Sequence, residues 1–107
     1  MLTAAEKVIV QRARELIAPP DRWTQGKAAE NRDGCQVTVY VPAAYRFCAY
    51  GALWRTALEL GSQSPADVAD CIASKLITGG AGRLSTINDS RDGHRKVLAL
   101  FNKALKK

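Results

Sequence analysis

The sequence predicts a mainly α single domain over residues 1–107, with four helices around a buried central one and a short extended segment or small hairpin near residues 35–41. Three observations predict it. Apolar residues recur at helical spacing behind cap-type residues at Thr3, Ser64 and Asn88-Asp89-Ser90. Residues 43–60 are apolar around nearly their whole circumference, as befits a helix in the middle of a domain. Residues 35–41, CQVTVYV, are rich in β-branched side chains and stop at Pro42, as a strand does.

In chain order, Thr3 and Glu6 form a capping box, and Ala5, Val8, Ile9, Ala13, Leu16 and Ile17 give the first helix its apolar stripe. Pro19 and Pro20 end it, since neither can donate a backbone hydrogen bond. The polar stretch 21–34 reads as a loop pinned by its one large apolar residue, Trp23. In the central helix, Gly51 implies close approach of another backbone, expected from the first or last helix. Gly61 closes that helix, and Ser64-Pro65 opens the third, with Val68, Cys71, Ile72 and Leu76 as its buried stripe. Gly79, Gly80 and Gly82 read as a flexible connector. Asn88-Asp89-Ser90 then cap a last helix with the stripe Val97, Leu98, Phe101, Ala104 and Leu105, and with Arg95, Lys96, Lys103, Lys106 and Lys107 on its outer and C-terminal face.

A chain of 107 residues holds one core, and its 47% hydrophobic and 24% charged content excludes the disordered class. Charged residues interrupt the first apolar stretch, so neither a signal peptide nor a membrane span is expected, and a cytoplasmic protein is. Cys35, Cys48 and Cys71 cannot all pair and lack metal-ligand spacing, which predicts reduced thiols, no metal and no cofactor. A formal charge of +6 favours encounter with polyanions.

Three short motifs stand out: Trp23-Thr-Gln-Gly26, Cys48-Ala-Tyr-Gly51-Ala52-Leu53, and Asn88-Asp89 leading into Val97-Leu98-Ala-Leu100. Together they resemble an uncharacterised family of small bacterial and phage proteins, a domain of unknown function with W-x-x-G, C-x-x-G-A-L and N-D motifs. The resemblance covers most of the chain from Trp23 onward and implies a shared fold rather than an activity. Residues 36–47 depart from it, being longer than the family's usual approach to the cysteine.

Three functions compete. Cys48, near a helix start and close to Arg46, is the one candidate nucleophile, with His94 as base and Asn88 or Asp89 to orient the imidazole. Against it, Cys48 reads as a small buried hydrophobe, Asn88 and Asp89 as caps, and His94 as a solvated surface residue. Nucleic acid would meet Arg91, Arg95, Lys96 and Lys103, with Arg83 nearby, although the loop before the last helix is too long for a helix-turn-helix. The favoured reading is a non-enzymatic binding or interaction protein, with Trp23 a further candidate contact. Its partner would be another protein or a second copy, because four short helices leave apolar surface to cover.

Overall fold

In the computed structural model, which describes residues 2–106, the first helix is α1 (Ala4–Ile17). Lys107 of the expected basic face lies outside the described residues. Thr3 caps α1 as its sequence predicts: its hydroxyl accepts the Glu6 amide at 3.1 Å, and Glu6 Oε1 accepts the Thr3 amide at 2.8 Å. Two amides with no partner inside the helix are thereby satisfied. α1 buries Ile9, Val10, Ala13 and Ile17, while Val8 of the expected stripe is exposed. After Pro19 a short 3-10 turn, Pro20–Arg22, delivers the chain to Trp23.

The central helix, α2 (Ala49–Glu59), begins six residues later than the expected 43–60. Residues Arg46–Phe47 form instead a strand, β2, antiparallel to β1 (Ala29–Glu30), with Ala29 opposite Phe47 and Glu30 opposite Arg46. The reason is Cys48, whose extended backbone and Sγ, accepting the Gly51 amide at 3.2 Å, make it the helix cap. Its own amide is given to the Ala28 carbonyl at 3.2 Å and is lost to any longer helix. An apolar run serves either element equally well until such a cap decides.

Of the extended segment or small hairpin expected near residues 35–41, the small sheet is present but its strands lie on either side, at Ala29–Glu30 and Arg46–Phe47. Gln36 makes one isolated bridge with Glu30, and the chain turns at 39–40, so the small sheet flanks this segment instead of containing it. Backbone carbonyls in the segment find a side chain: Arg55 Nη1 donates to Val39 at 2.9 Å and Val41 at 3.1 Å. Val39 is buried beneath them. A guanidinium does here what a neighbouring strand would otherwise do.

α2 packs on α1, on α3 (Pro65–Leu76) and on α4 (Gly80–Asn88), burying Ala49, Gly51, Ala52, Leu53, Thr56 and Ala57. It is the interior rod that its composition implies. The backbone that approaches Gly51 belongs to neither expected helix, however: a methyl at Gly51 would sit 2.0 Å from the Ala28 carbonyl oxygen. In α3 the buried face is Ala69, Ile72 and Ala73, and Cys71 of the expected stripe is exposed. The two alanines are the small residues that suit a close helix contact.

There are five helices among the described residues, not four. The glycines expected to form a flexible connector start α4, with Gly79 and Gly80 at left-handed φ of 100° and 66° turning the chain after α3. Complete burial of Leu84 and Asn88 outweighs the weak helix propensity of Gly82, which costs about 1 kcal/mol relative to Ala. Asn88-Asp89-Ser90 therefore finish α4, with Asp89 as its C-cap, and the last helix, α5 (Gly93–Leu105), starts after Asp92. The additional helix covers apolar surface that a four-helix arrangement leaves over. Large hydrophobics exposed among the described residues are Val8, Tyr40 and Leu60, on three separate parts of the chain. No helix among the described residues is long and apolar enough to cross a membrane.

Candidate functional site

The three motifs singled out from the sequence meet at Asn88, the final residue of α4, which is 0% exposed. Its Oδ1 accepts the Trp23 indole Nε1–H at 2.8 Å and the Ala49 amide at 2.9 Å. Its Nδ2 donates to the Thr24 carbonyl at 3.0 Å and to Asp89 Oδ1 at 3.1 Å. An indole and an amide can only donate and a carbonyl can only accept, so the neighbours themselves fix which way the Asn88 amide points. Both lone pairs and both protons are used.

The surrounding residues complete this hub. Asp89 Oδ1 also accepts the Gly26 amide at 2.9 Å, and Gln25 Nε2 donates to the carbonyls of Asn88 and Ser90, both at 3.1 Å. Trp23 and Gly26 of one motif are thus tied to Asn88 and Asp89 of another, while Ala49 brings in the start of α2. Gly93 is a member that sequence reasoning missed. A methyl there would sit 2.1 Å from the Asn88 carbonyl oxygen, and no periodicity in the sequence reveals such a contact.

Cys48 lies at the edge of the hub and is 6% exposed. Burial pushes its thiol above the ordinary value; the backbone amides of Gly51 and Tyr50 pull it down, and the charge of Asp89 adds to the rise. Beside it is a small cleft of about 190 Å³ whose lining includes Lys27, Tyr50, Ser85 and Asp89. Tyr50 is pushed up to about 12, first by burial and then by its neighbour Asp70. Both groups are protonated near neutrality.

His94, expected at the surface, is half-buried. Its Nε2 is 2.7 Å from the Ile17 carbonyl oxygen, and its ring lies tilted against Trp23 with centroids 5.1 Å apart. Because a carbonyl only accepts, Nε2 carries a proton. No hydrogen bond joins His94 to Cys48 among the described residues.

On the basic face of α5, Arg91 and Lys103 are exposed, Arg95 is paired with Asp92 at 2.5 Å, and Lys96 Nζ reaches Ser90 Oγ at 3.4 Å. Arg95, Lys96 and Lys103 rim a shallow groove of about 260 Å³ floored by Ile87, Ala99 and Leu100. A denser basic cluster, which sequence reasoning missed, surrounds Tyr45. The guanidinium carbons of Arg22, Arg32 and Arg46 lie 4.2, 4.5 and 5.3 Å from its ring centroid. These residues come from separate turns and strands, so no helical or strand period brings them together.

Beneath that cluster Glu30 is buried, accepting Thr24 Oγ1 at 2.6 Å and facing Arg46 at 3.1 Å and Lys27 at 3.4 Å. The Thr24 bond, with Lys27 and Arg46, holds its carboxyl below the usual range against the opposing effect of burial. No group of three or more His, Cys, Asp or Glu that could hold a metal ion occurs among the described residues.

A small, mainly helical protein whose motif residues form one hydrogen-bonded hub is the class that this geometry defines. The chain matches a family of unknown function, DUF6197, over residues 1–107, and it belongs to that family. No curated protein and no solved structure matches it. Its function is therefore not given by likeness.

Proposed function

We propose that this chain is a basic, non-enzymatic binding protein. The observation that carries the reading is the saturation of Asn88, whose four side-chain hydrogen-bonding positions are all occupied by groups of the chain itself. A residue that orients a catalytic imidazole must spend a bond on it, and Asn88 has none left. The raised thiol of Cys48 supports the same reading, since the thiolate is the nucleophile and burial disfavours it. The residues that look catalytic by type are accounted for as architecture: a helix cap at Cys48, a hub at Asn88 and a brace from His94 to the end of α1.

Alkylation of the native protein tests this, because Cys35 and Cys71 are exposed and serve as internal standards. Iodoacetamide below neutral pH is expected to label both slowly and Cys48 only after unfolding, read by peptide mass. A Cys48 that reacts faster than the exposed pair would reverse the reading in favour of a thiol enzyme. A second reading, binding of nucleic acid, is favoured by the charge of +6 and by the guanidinium groups of Arg22 and Arg32, which no carboxylate among the described residues neutralises.

A further inference from the structure

Four arginines from four places in the sequence converge on the loop before β2. Two are paired with a carboxylate. Arg46 Nη1 binds Glu30 at 3.1 Å and the carbonyls of Asn31 and Arg32 at 3.1 and 3.3 Å, which fixes the turn that presents Arg32. Arg55 holds the Val39 and Val41 carbonyls and faces Glu59 at 3.4 Å.

Arg22 and Arg32 differ from these. Arg22 uses its Nε alone, on the Tyr45 carbonyl at 2.7 Å, and Arg32 rests on the Tyr45 ring. Among the described residues neither is ion-paired with a carboxylate. Two guanidinium groups are held against one ring, whose π face attracts each of them while their like charges repel. An arriving anion removes that repulsion.

Both side chains line an open cleft of about 590 Å³, together with Asn31, Asp33, Tyr45 and Arg55. Its size falls in the range of roughly 300–1,000 Å³ typical of small-molecule sites and exceeds what a lone inorganic ion fills. The lining carries three guanidinium groups against one carboxylate, Asp33, while Asp21 accepts the Tyr45 hydroxyl at 3.3 Å. Planar guanidinium forks match phosphoryl oxygens in pairs, and their flat faces accept a stacked base.

We infer that this cleft binds the phosphate of a nucleotide, with Arg22 and Arg32 gripping its oxygens. The inference deepens the binding-protein reading and rests on it. The ligand is either a free nucleotide or one unit of a single strand, which share the phosphate and the base.

The test is a titration of isotope-labelled protein, followed through its arginine Nε–Hε signals, with pyrophosphate, thymidine monophosphate and a short oligodeoxythymidylate. Saturable shifts at Arg22 and Arg32 are expected. Arg32→Ala should weaken binding about tenfold, the worth of one charge-assisted contact. Arg22→Lys keeps the charge and removes the fork, and should weaken it by a similar factor. A strand that binds far more tightly than the monophosphate identifies the polymer as the ligand, and equal binding identifies the free nucleotide.

The proposal is overturned if no probe gives a saturable shift at these arginines, or if the double replacement Arg91→Ala and Arg95→Ala on α5 weakens binding as much as Arg32→Ala does. The latter would mean diffuse attraction by net charge. Rapid native labelling of Cys48 would remove the non-enzymatic reading without changing this titration, so the two failures are distinguishable.

Discussion

The Asn88 hub and the Tyr45 cluster both organise the long segment between α1 and α2, yet they treat polar groups in opposite ways. At the hub every side-chain donor and acceptor of one buried amide is matched at 2.8 to 3.1 Å. Around Tyr45 and its cleft, Arg46 and Arg55 are paired with carboxylates, while Arg22 and Arg32 present donors to an open cleft. The comparison teaches that residue type is a poor guide to role in a chain like this one, and that unused hydrogen-bonding capacity is a better guide. A filled hub fixes geometry, and an unfilled cluster is where a ligand adds something.

Breaking the hub should have the largest effect. Asn88→Ala strands the Trp23 indole, the Ala49 amide and the Thr24 carbonyl, each worth about 1–3 kcal/mol when left unpaired, so a loss of about 4 kcal/mol is expected in urea unfolding. A loss under about 1 kcal/mol would show that the hub is decorative.

Glu30 gives the intermediate effect, because it anchors the cluster from below. Its folded pKa lies below the ordinary 4.5, so its contribution is present above that value and is lost as pH falls through the depressed folded one. Glu30→Gln is expected to cost about 2 kcal/mol near pH 7 and less and less as pH falls below 4.5, read from denaturation midpoints across that range. A cost that does not change with pH would mean that its shape, not its charge, matters.

Arg32→Ala sharpens the contrast from the other side. Its stability should change by no more than about 0.5 kcal/mol by thermal unfolding, since the side chain is exposed and makes only a ring contact. A loss comparable to that of Asn88→Ala would place Arg32 among the structural residues.

What the sequence made legible follows the same division between local and distant contacts. The Thr3–Glu6 capping box, the stop at Pro19 and the start of α3 at Pro65 are local and were readable. Trp23 was readable as a pin, though its partner lies 65 residues away and was not. α4 was hidden because glycine signals flexibility, and only the buried faces of Leu84 and Asn88 make that run helical. The two-residue strands were hidden because their pairing depends on Ala28 reaching Cys48. Cys48, Asn88, Asp89 and Trp23 were singled out together and do lie together, but a sequence displays side chains and not how many of their bonds are taken. The three arginines around Tyr45 come from three separate places and offered no pattern at all.

Gly93 has a consequence for how this chain tolerates change. With the Asn88 oxygen 2.1 Å from where any β-carbon must go, no other amino acid enters that corner unless α5 is displaced. The backbone that closes the corner is that of Asn88, the residue whose side chain holds Trp23, Thr24 and the first residue of α2. The absence of a single methyl group thus lets the last helix start directly against the residue that joins the three motifs.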